Sequence, residues 1–296
     1  MTTDPDPWNR SSSRVKEQAI TPRGADAQRD GEVRLREPVP GVPAAPPEAL
    51  ALFGPALPVA ERYARLLAGP GVERGLIGPD EAARLWPRHL INCAVVAELV
   101  PRPATLADLG SGAGLPGIVL AMLLPDVEVT LVEPMARRVV FLTECIAALG
   151  LGNVLVRRGR AEDMAGQIMA DVVTARAVAP LERLAGLASA LARPGGLVLA
   201  IKGAGAADEL ARAQPVLRRL GAEDVGLVQA GSGSAGRAAT VVRFRTAPGR
   251  GRSARPERAG GARRKSAATG GRGPGSNADR SQNSRKGRDS GRSGVG

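Results

Sequence analysis

The sequence predicts an α/β fold: a mostly parallel seven-stranded sheet with helices on both faces, a C-terminal antiparallel hairpin and an N-terminal helical extension. Three observations carry this. From Thr105 onward, short apolar runs alternate with helical segments. Before that, Pro47 to Val100 carries apolar residues at helical spacing. At the end, two apolar runs flank a stretch of Gly, Ser and Ala, a pattern that reads as an antiparallel pair.

In the extension, Leu50, Leu52, Phe53 and Leu57 open the helical pattern, and Val59, Tyr63, Leu66 and Leu67 continue it. A second helical stretch runs from Asp80 to Val100, broken near Pro87. Pro79 with Asp80 and Glu81 suits a helix start, because carboxylates favour the positive end of the helix dipole. The five parallel strands are expected at Leu106–Leu109, Val127–Val132, Val154–Arg157, Val172–Ala175 and Leu197–Ile201. The clearest helix between them is Met135–Leu149, with Val139, Leu142, Ile146 and Leu149 on one face. Val225–Val228 and Ala239–Phe244 form the closing pair, joined by a flexible loop at Gly231–Gly236.

The apolar content of 43% is enough for a core, but aromatics are only 2%, so Ala, Val and Leu must build it. The net charge of +12 is unevenly placed. From Gly249 to the end there are 13 Lys or Arg against 3 Asp or Glu, so the rest of the chain is close to neutral. The positive field therefore belongs to the tail. These features divide the chain into a disordered leader (1–45), the helical extension (46–101), a ligand-binding α/β domain (102–246) and a disordered basic tail (247–296). The tail suits sequence-independent contact with RNA phosphates. The start of the chain lacks a basic patch followed by an apolar run, and Ile118–Leu124 is too short to span a bilayer. Cys93 and Cys145 are the only cysteines, which excludes a CxxC framework, points to no metal site and fits a cytoplasmic protein. Both fall on apolar helix faces and read as core.

The chemistry concentrates at Asp108-Leu-Gly-Ser-Gly-Ala-Gly-Leu-Pro-Gly117, which follows a strand and opens a helix. Gly110, Gly112, Gly114 and Gly117 let backbone approach a ligand, and free amides at the helix start offer hydrogen bonds. Pro116 occupies the expected first helical position, where its missing N–H costs nothing. Glu133 ends the second strand, where a carboxylate accepts both hydroxyls of an adenosine ribose. A dinucleotide enzyme shares that pairing. Three features favour S-adenosylmethionine instead: Asp108 on the strand before the glycines, Ala161-Glu162-Asp163 after the third strand at the adenine position, and a closing hairpin in place of a second nucleotide half.

Six blocks in this order resemble the RsmG family of 16S ribosomal RNA guanine-N7 methyltransferases, formerly glucose-inhibited division protein B. They are Arg88-His89-Leu90, DLGSGAGLPGIVLA, TLVEPMARRVVFL, GRAEDM, VVTARAVAPL and LVLAIKG, and the resemblance spans Pro47 to Arg245. It implies a Rossmann-like class I methyltransferase that uses S-adenosyl-L-methionine to methylate N7 of a guanine in the 530 loop of 16S rRNA. The implied partner is 16S rRNA or the small ribosomal subunit, with a monomer as the expected state. By matching positions, Gly110, Leu115, Ala161, Glu162 and Arg176 would line the cofactor site and Glu133 would take the ribose; Gly112 and Gly114 of the glycine loop are expected to bind the cofactor beside them. The family usually carries Asp where this chain has Asn92. Its Asn-Leu-Thr block is replaced by the region around Arg74-Gly-Leu-Ile77.

Guanine N7 already owns a lone pair, so such a reaction needs no general base, and the sequence offers no catalytic triad. Cationic groups would hold phosphates and guanine O6 while leaving N7 free. Arg176, Lys202 and His89 are the candidates, with Arg88 beside them. Arg137 and Arg138 read as the solvated start of a helix. The alternatives are a methyltransferase of the same fold acting on another RNA or a small molecule, and a non-catalytic RNA-binding module.

Overall fold

The computed structural model describes residues 42–231 and 238–249. Most of the expected leader, nearly all of the basic tail and most of the Gly231–Gly236 loop lie outside the described residues. Seven strands form one sheet: β1 (Ala104–Leu109), β2 (Val127–Glu133), β3 (Val154–Arg158), β4 (Ala170–Arg176), β5 (Ala192–Lys202), β6 (Glu223–Ala230) and β7 (Ala239–Arg245). Their order is β3-β2-β1-β4-β5-β7-β6. The first five are parallel, and β7 runs antiparallel between β5 and β6. All seven expected strands are present, extended by one to five residues at their ends, and the fold is the expected Rossmann-like α/β architecture, mostly parallel with an antiparallel C-terminal pair.

The period-two alternation of side chains divides the core in two. Leu106, Val172, Leu197, Leu199 and Val241 point to one face, where they meet α4 (Gly117–Leu123), α5 (Ala136–Leu149) and the helical extension. Ala107, Val173, Val198, Ala200 and Val242 point to the other and meet α7 (Leu181–Leu191) and α8 (Ala206–Arg219). The buried stripe of α5 is Phe141, Leu142, Cys145 and Leu149, with Val139 and Ile146 on its flanks. Both cysteines are buried, as their apolar helix faces implied.

The extension begins with α1 (Pro47–Phe53) and α2 (Leu57–Leu66). Leu50, expected to open its apolar face, is 60% exposed; Ala49 and Phe53 point inward instead. The second helical stretch is irregular. A 3-10 turn at Pro79–Arg84 leads into a π-helical turn at Leu85–Leu90, then α3 (Ile91–Ala94) and another 3-10 turn. Pro87 explains the break: it has no N–H for the i→i−4 bond, so the turn widens. The wide turn buries Trp86 and His89 and leaves Arg88 facing outward.

Register brings the functional ends of the strands together. Leu109 pairs with Val132 on one side and Ala175 on the other, and Arg176 pairs with Ile201. Glu133, Arg176 and Lys202 thus share the carboxyl edge of the sheet. From β1 the chain winds outward through β2 and β3 one way and through β4 and β5 the other. That reversal opens a crevice at the carboxyl end of β1, where ligands bind in open α/β sheets.

Candidate active site

Two cavities meet at this crevice. The smaller, about 400 Å³, lies against the ends of β1 and β2 and is lined by Gly110, Glu133, Met135, Ala161, Glu162 and Val178, among others. The larger, about 960 Å³, opens between the extension and the ends of β4 and β5. Among the described residues its wall includes Arg84, Arg88, Asn92, Arg176, Lys202 and Arg212, with Glu209 the one acid. Ala177 and Val178 line both. Ala177 holds φ of +54°, in the left-handed region that non-glycine residues seldom adopt, a conformation that recurs at binding sites.

The glycine loop is tied into the protein by its backbone amides: Gly110 and Ser111 donate to the Val132 carbonyl, Gly114 and Leu115 to the Ser111 carbonyl. Its helix-start amide at Gly117 donates to the Asp108 carboxylate at 3.1 Å rather than standing free. Pro116 caps α4 instead of opening it, one position earlier than expected. The loop is therefore a rigid rim and not a phosphate cradle, because the protein's own carboxylate already satisfies the first turn. Of its expected ligand contacts, Gly110 lines the smaller cavity, and a Cβ there would press to 2.8 Å from Val178. The Gly112 amide donates to Glu133 Oε2 at 3.0 Å. Gly114 faces Ile118 and Tyr63, and Leu115 is buried. Tyr63, the only tyrosine, reaches across from α2 and donates its hydroxyl to the Ala113 carbonyl at 2.6 Å. That contact was not legible in the sequence, since no local pattern links residues 50 positions apart.

Glu133 is 1% exposed, and each oxygen accepts one backbone amide, from Gly112 and from Met135. Arg138 stands 3.6 Å away, so it does more than solvate the start of α5. Each carboxylate oxygen has a second lone-pair direction, which leaves capacity for two hydroxyls. Ala161 and Glu162 begin α6 (Ala161–Met164) on the opposite wall.

Asp108 is fully buried and also accepts the Thr174 hydroxyl at 3.0 Å. Burial pushes its carboxyl up to about 6, partly opposed by hydrogen bonds from Ser111, Thr174 and Gly117. The folded protein thus keeps a proton that the unfolded chain releases near its ordinary value of 3.8. Stability from this group is fully present below that value and is lost as pH rises through about 6, by about 3 kcal/mol in total. Urea unfolding between pH 4 and 7 should show this loss in the wild type relative to Asp108→Asn, which cannot titrate. Parallel pH profiles for the two proteins would refute it.

The cationic candidates are less free than the sequence implied. Arg176 lies on the wall of the larger cavity, and its guanidinium donates to Cys93 Sγ at 3.2 Å, to the Arg88 carbonyl at 3.2 Å and to His89 Nδ1 at 2.6 Å. Lys202 is 8% exposed, donates to the Ala179 carbonyl at 2.9 Å and pairs with Glu209 at 2.7 Å, which draws the Glu209 carboxyl down. It fixes the start of α7 through Glu209, which also accepts the Leu181 amide. His89 is buried with both ring nitrogens occupied, so it is not free to hold RNA or a cofactor carboxylate. Its second partner, Glu81, was legible only as a helix-start acid. Among the described residues no cluster of three or more His, Cys, Asp or Glu is arranged to hold a metal ion, and no helix is long and apolar enough to cross a membrane.

Residues 57–235 match the GidB family, rRNA small subunit methyltransferase G. The chain is 57% identical over 192 residues to ribosomal RNA small subunit methyltransferase G of Thermobifida fusca (strain YX), covering 65% of this chain and 81% of that one. It is 51% identical over 223 residues to the protein of the same name from Mycobacterium sp. (strain JLS), covering 73% and 98%. Among solved structures, a SAM-dependent O-methyltransferase from Thermotoga maritima aligns with a TM-score of 0.44 at 12% identity, covering 53% of this chain and 64% of that one.

Proposed function

The chain belongs to the rRNA small subunit methyltransferase G family, and from that premise we propose that it binds S-adenosyl-L-methionine in the smaller cavity and methylates N7 of a guanine in the 530 loop of 16S rRNA. The observation that carries this reading is the pair of cavities meeting at Ala177 and Val178. One is small, glycine-rimmed and acidic at Glu133; the other is wide and cationic.

The residues present fit the cofactor. A cavity of about 400 Å³ is in the range of small-ligand sites. Glu133 has lone pairs for two ribose hydroxyls, and Gly110 leaves room that a Cβ would close against Val178. Ala161 and Glu162 line the same cavity and are the residues that would hold the adenine ring. When bound, the cofactor supplies a methyl group activated by its sulfonium. The chain's own part is placement. Because N7 carries its own lone pair, no side chain needs to take a proton from it. Arg84, Arg88 and Arg212 put positive charge along the wide cavity, suited to phosphates, and Arg176 is suited to guanine O6. Holding the acceptor in line with the methyl group, away from water, supplies most of the rate. The basic tail, outside the described residues, suits additional phosphate contact.

Deleting the gene and mapping N7-methylguanosine across 16S rRNA tests the proposal. One guanine in the 530 loop should lose its methyl group, and re-expression should restore it. An unchanged methylation pattern refutes the acceptor.

A further inference from the structure

We infer that His89 and Glu81 are positioning residues that hold the Arg176 guanidinium on the wall of the larger cavity, so that the helical extension sets where this charge meets the acceptor base. The inference rests on the methyl-transfer reading and adds to it two residues that touch neither cofactor nor acceptor.

The hydrogen-bond chemistry leaves one arrangement. Arginine N–H groups only donate. His89 Nδ1, 2.6 Å from Arg176 Nη2, must therefore accept and carry no proton. The remaining ring proton lies on Nε2, 2.6 Å from Glu81 Oε2, to which it donates. The other Glu81 oxygen accepts from Arg88 Nη1 at 3.0 Å. A chain Arg88–Glu81–His89–Arg176 thus links the π-helical turn, through Glu81 of the 3-10 turn, to the tip of β4. Cys93 Sγ and the Arg88 carbonyl complete the clamp from the same extension.

The clamp has a purpose that stability does not supply. An arginine at a strand end otherwise samples many rotamers, and ordering it only when the acceptor arrives opposes binding. Here the ordering is built in beforehand. The chain holds only while His89 is neutral, because a second ring proton would turn its acceptor into a donor facing a donor. The charged groups around the ring are Arg176 from β4, Glu81 from the 3-10 turn and Arg88 on its own turn, with Arg84 near Glu81. Burial and Arg176 hold the His89 pKa below its ordinary 6.5, against the opposing pull of Glu81. The clamp is therefore set at neutral pH and released on the acid side.

His89 is the only histidine in the chain, so ¹⁵N-histidine NMR of the full-length protein reads one ring. The expected spectrum has Nε2 protonated, Nδ1 unprotonated and a titration midpoint below 6.5 that rises in Arg176→Ala. A ring averaging both tautomers, or a midpoint unmoved by Arg176→Ala, overturns the pairing. The kinetic arm uses methylation of ribosomal RNA. An Asn side chain presents an acceptor near the Nδ1 position, whereas Gln presents its polar end near Nε2. His89→Gln should lower kcat roughly 10- to 100-fold with affinity for S-adenosylhomocysteine changed less than about twofold, and His89→Asn should recover most of that loss. The wild-type rate should fall on the acid side with a limb that His89→Asn lacks. Equal losses in the two variants, or an acid limb that persists in His89→Asn, overturn the inference. A wild-type chain that leaves ribosomal RNA unmethylated refutes the methyltransferase reading instead, and the NMR arm then decides the pairing alone.

Discussion

Replacing Glu133 by Ala is expected to weaken binding of S-adenosylhomocysteine by about 5- to 150-fold, roughly 1–3 kcal/mol. Two losses add. On the proposed reading the ribose hydroxyls lose their acceptor, in a site where the side chain is 1% exposed, so water does not readily replace it. The Gly112 and Met135 amides also lose theirs, and with them the fixed spacing between the glycine loop and the turn after β2. Isothermal calorimetry checks the first loss, with NAD as the comparison ligand that should not bind. Affinity equal to wild type would mean that the ribose is held elsewhere. Thermal unfolding without ligand checks the second, and a melting temperature equal to wild type would mean that the two amide bonds add little.

Gly114→Ala is expected to destabilise the fold by about 2–4 kcal/mol. The position has φ of +97°, and an added Cβ would stand 2.5 Å from Ile118 Cδ1 and 2.8 Å from the Tyr63 hydroxyl. The methyl group must therefore displace the buried Ile118 side chain and the Tyr63 hydroxyl that donates to Ala113. Gly112→Ala is the internal comparison. It has φ of +58° but meets only the Gly110 carbonyl at 3.8 Å, so backbone strain alone should cost about 1–2 kcal/mol. Urea unfolding of both variants separates strain from collision. Equal destabilisation would show that the extension does not press on the loop.

The strands and the glycine loop were legible because their signals are local. A parallel strand buried on both faces reads as an apolar run, as in β4 and β5, and a loop that must turn tightly reads as glycines. Glu133 was legible for the same reason, since the end of a strand is a fixed distance from its beginning. The helical extension was legible as helix but not as a sequence of 3-10, π and α turns. Those turns follow from the missing Pro87 N–H and from the burial of Trp86 and His89 beside it, and not from spacing alone. Leu50 shows the same limit: helical periodicity does not say which of two adjacent apolar residues faces the core when Ala49 fits better.

The side chains expected to act on the acceptor show the boundary most clearly. By itself the sequence determined the fold class, the carboxyl-edge placement of Glu133, Arg176 and Lys202, and the family. Only the tertiary structure decided that Lys202 is paired with Glu209, that Asp108 closes the first turn of α4, that Tyr63 holds the loop and that His89 serves Arg176. The reason is physical. Strand and turn identity depend on neighbours a few residues away, whereas a charged side chain's role depends on which partner burial leaves beside it. The Arg176–His89 partners are 87 residues apart and Lys202–Ala179 are 23 apart, joined only when the sheet aligns its strand ends under the extension.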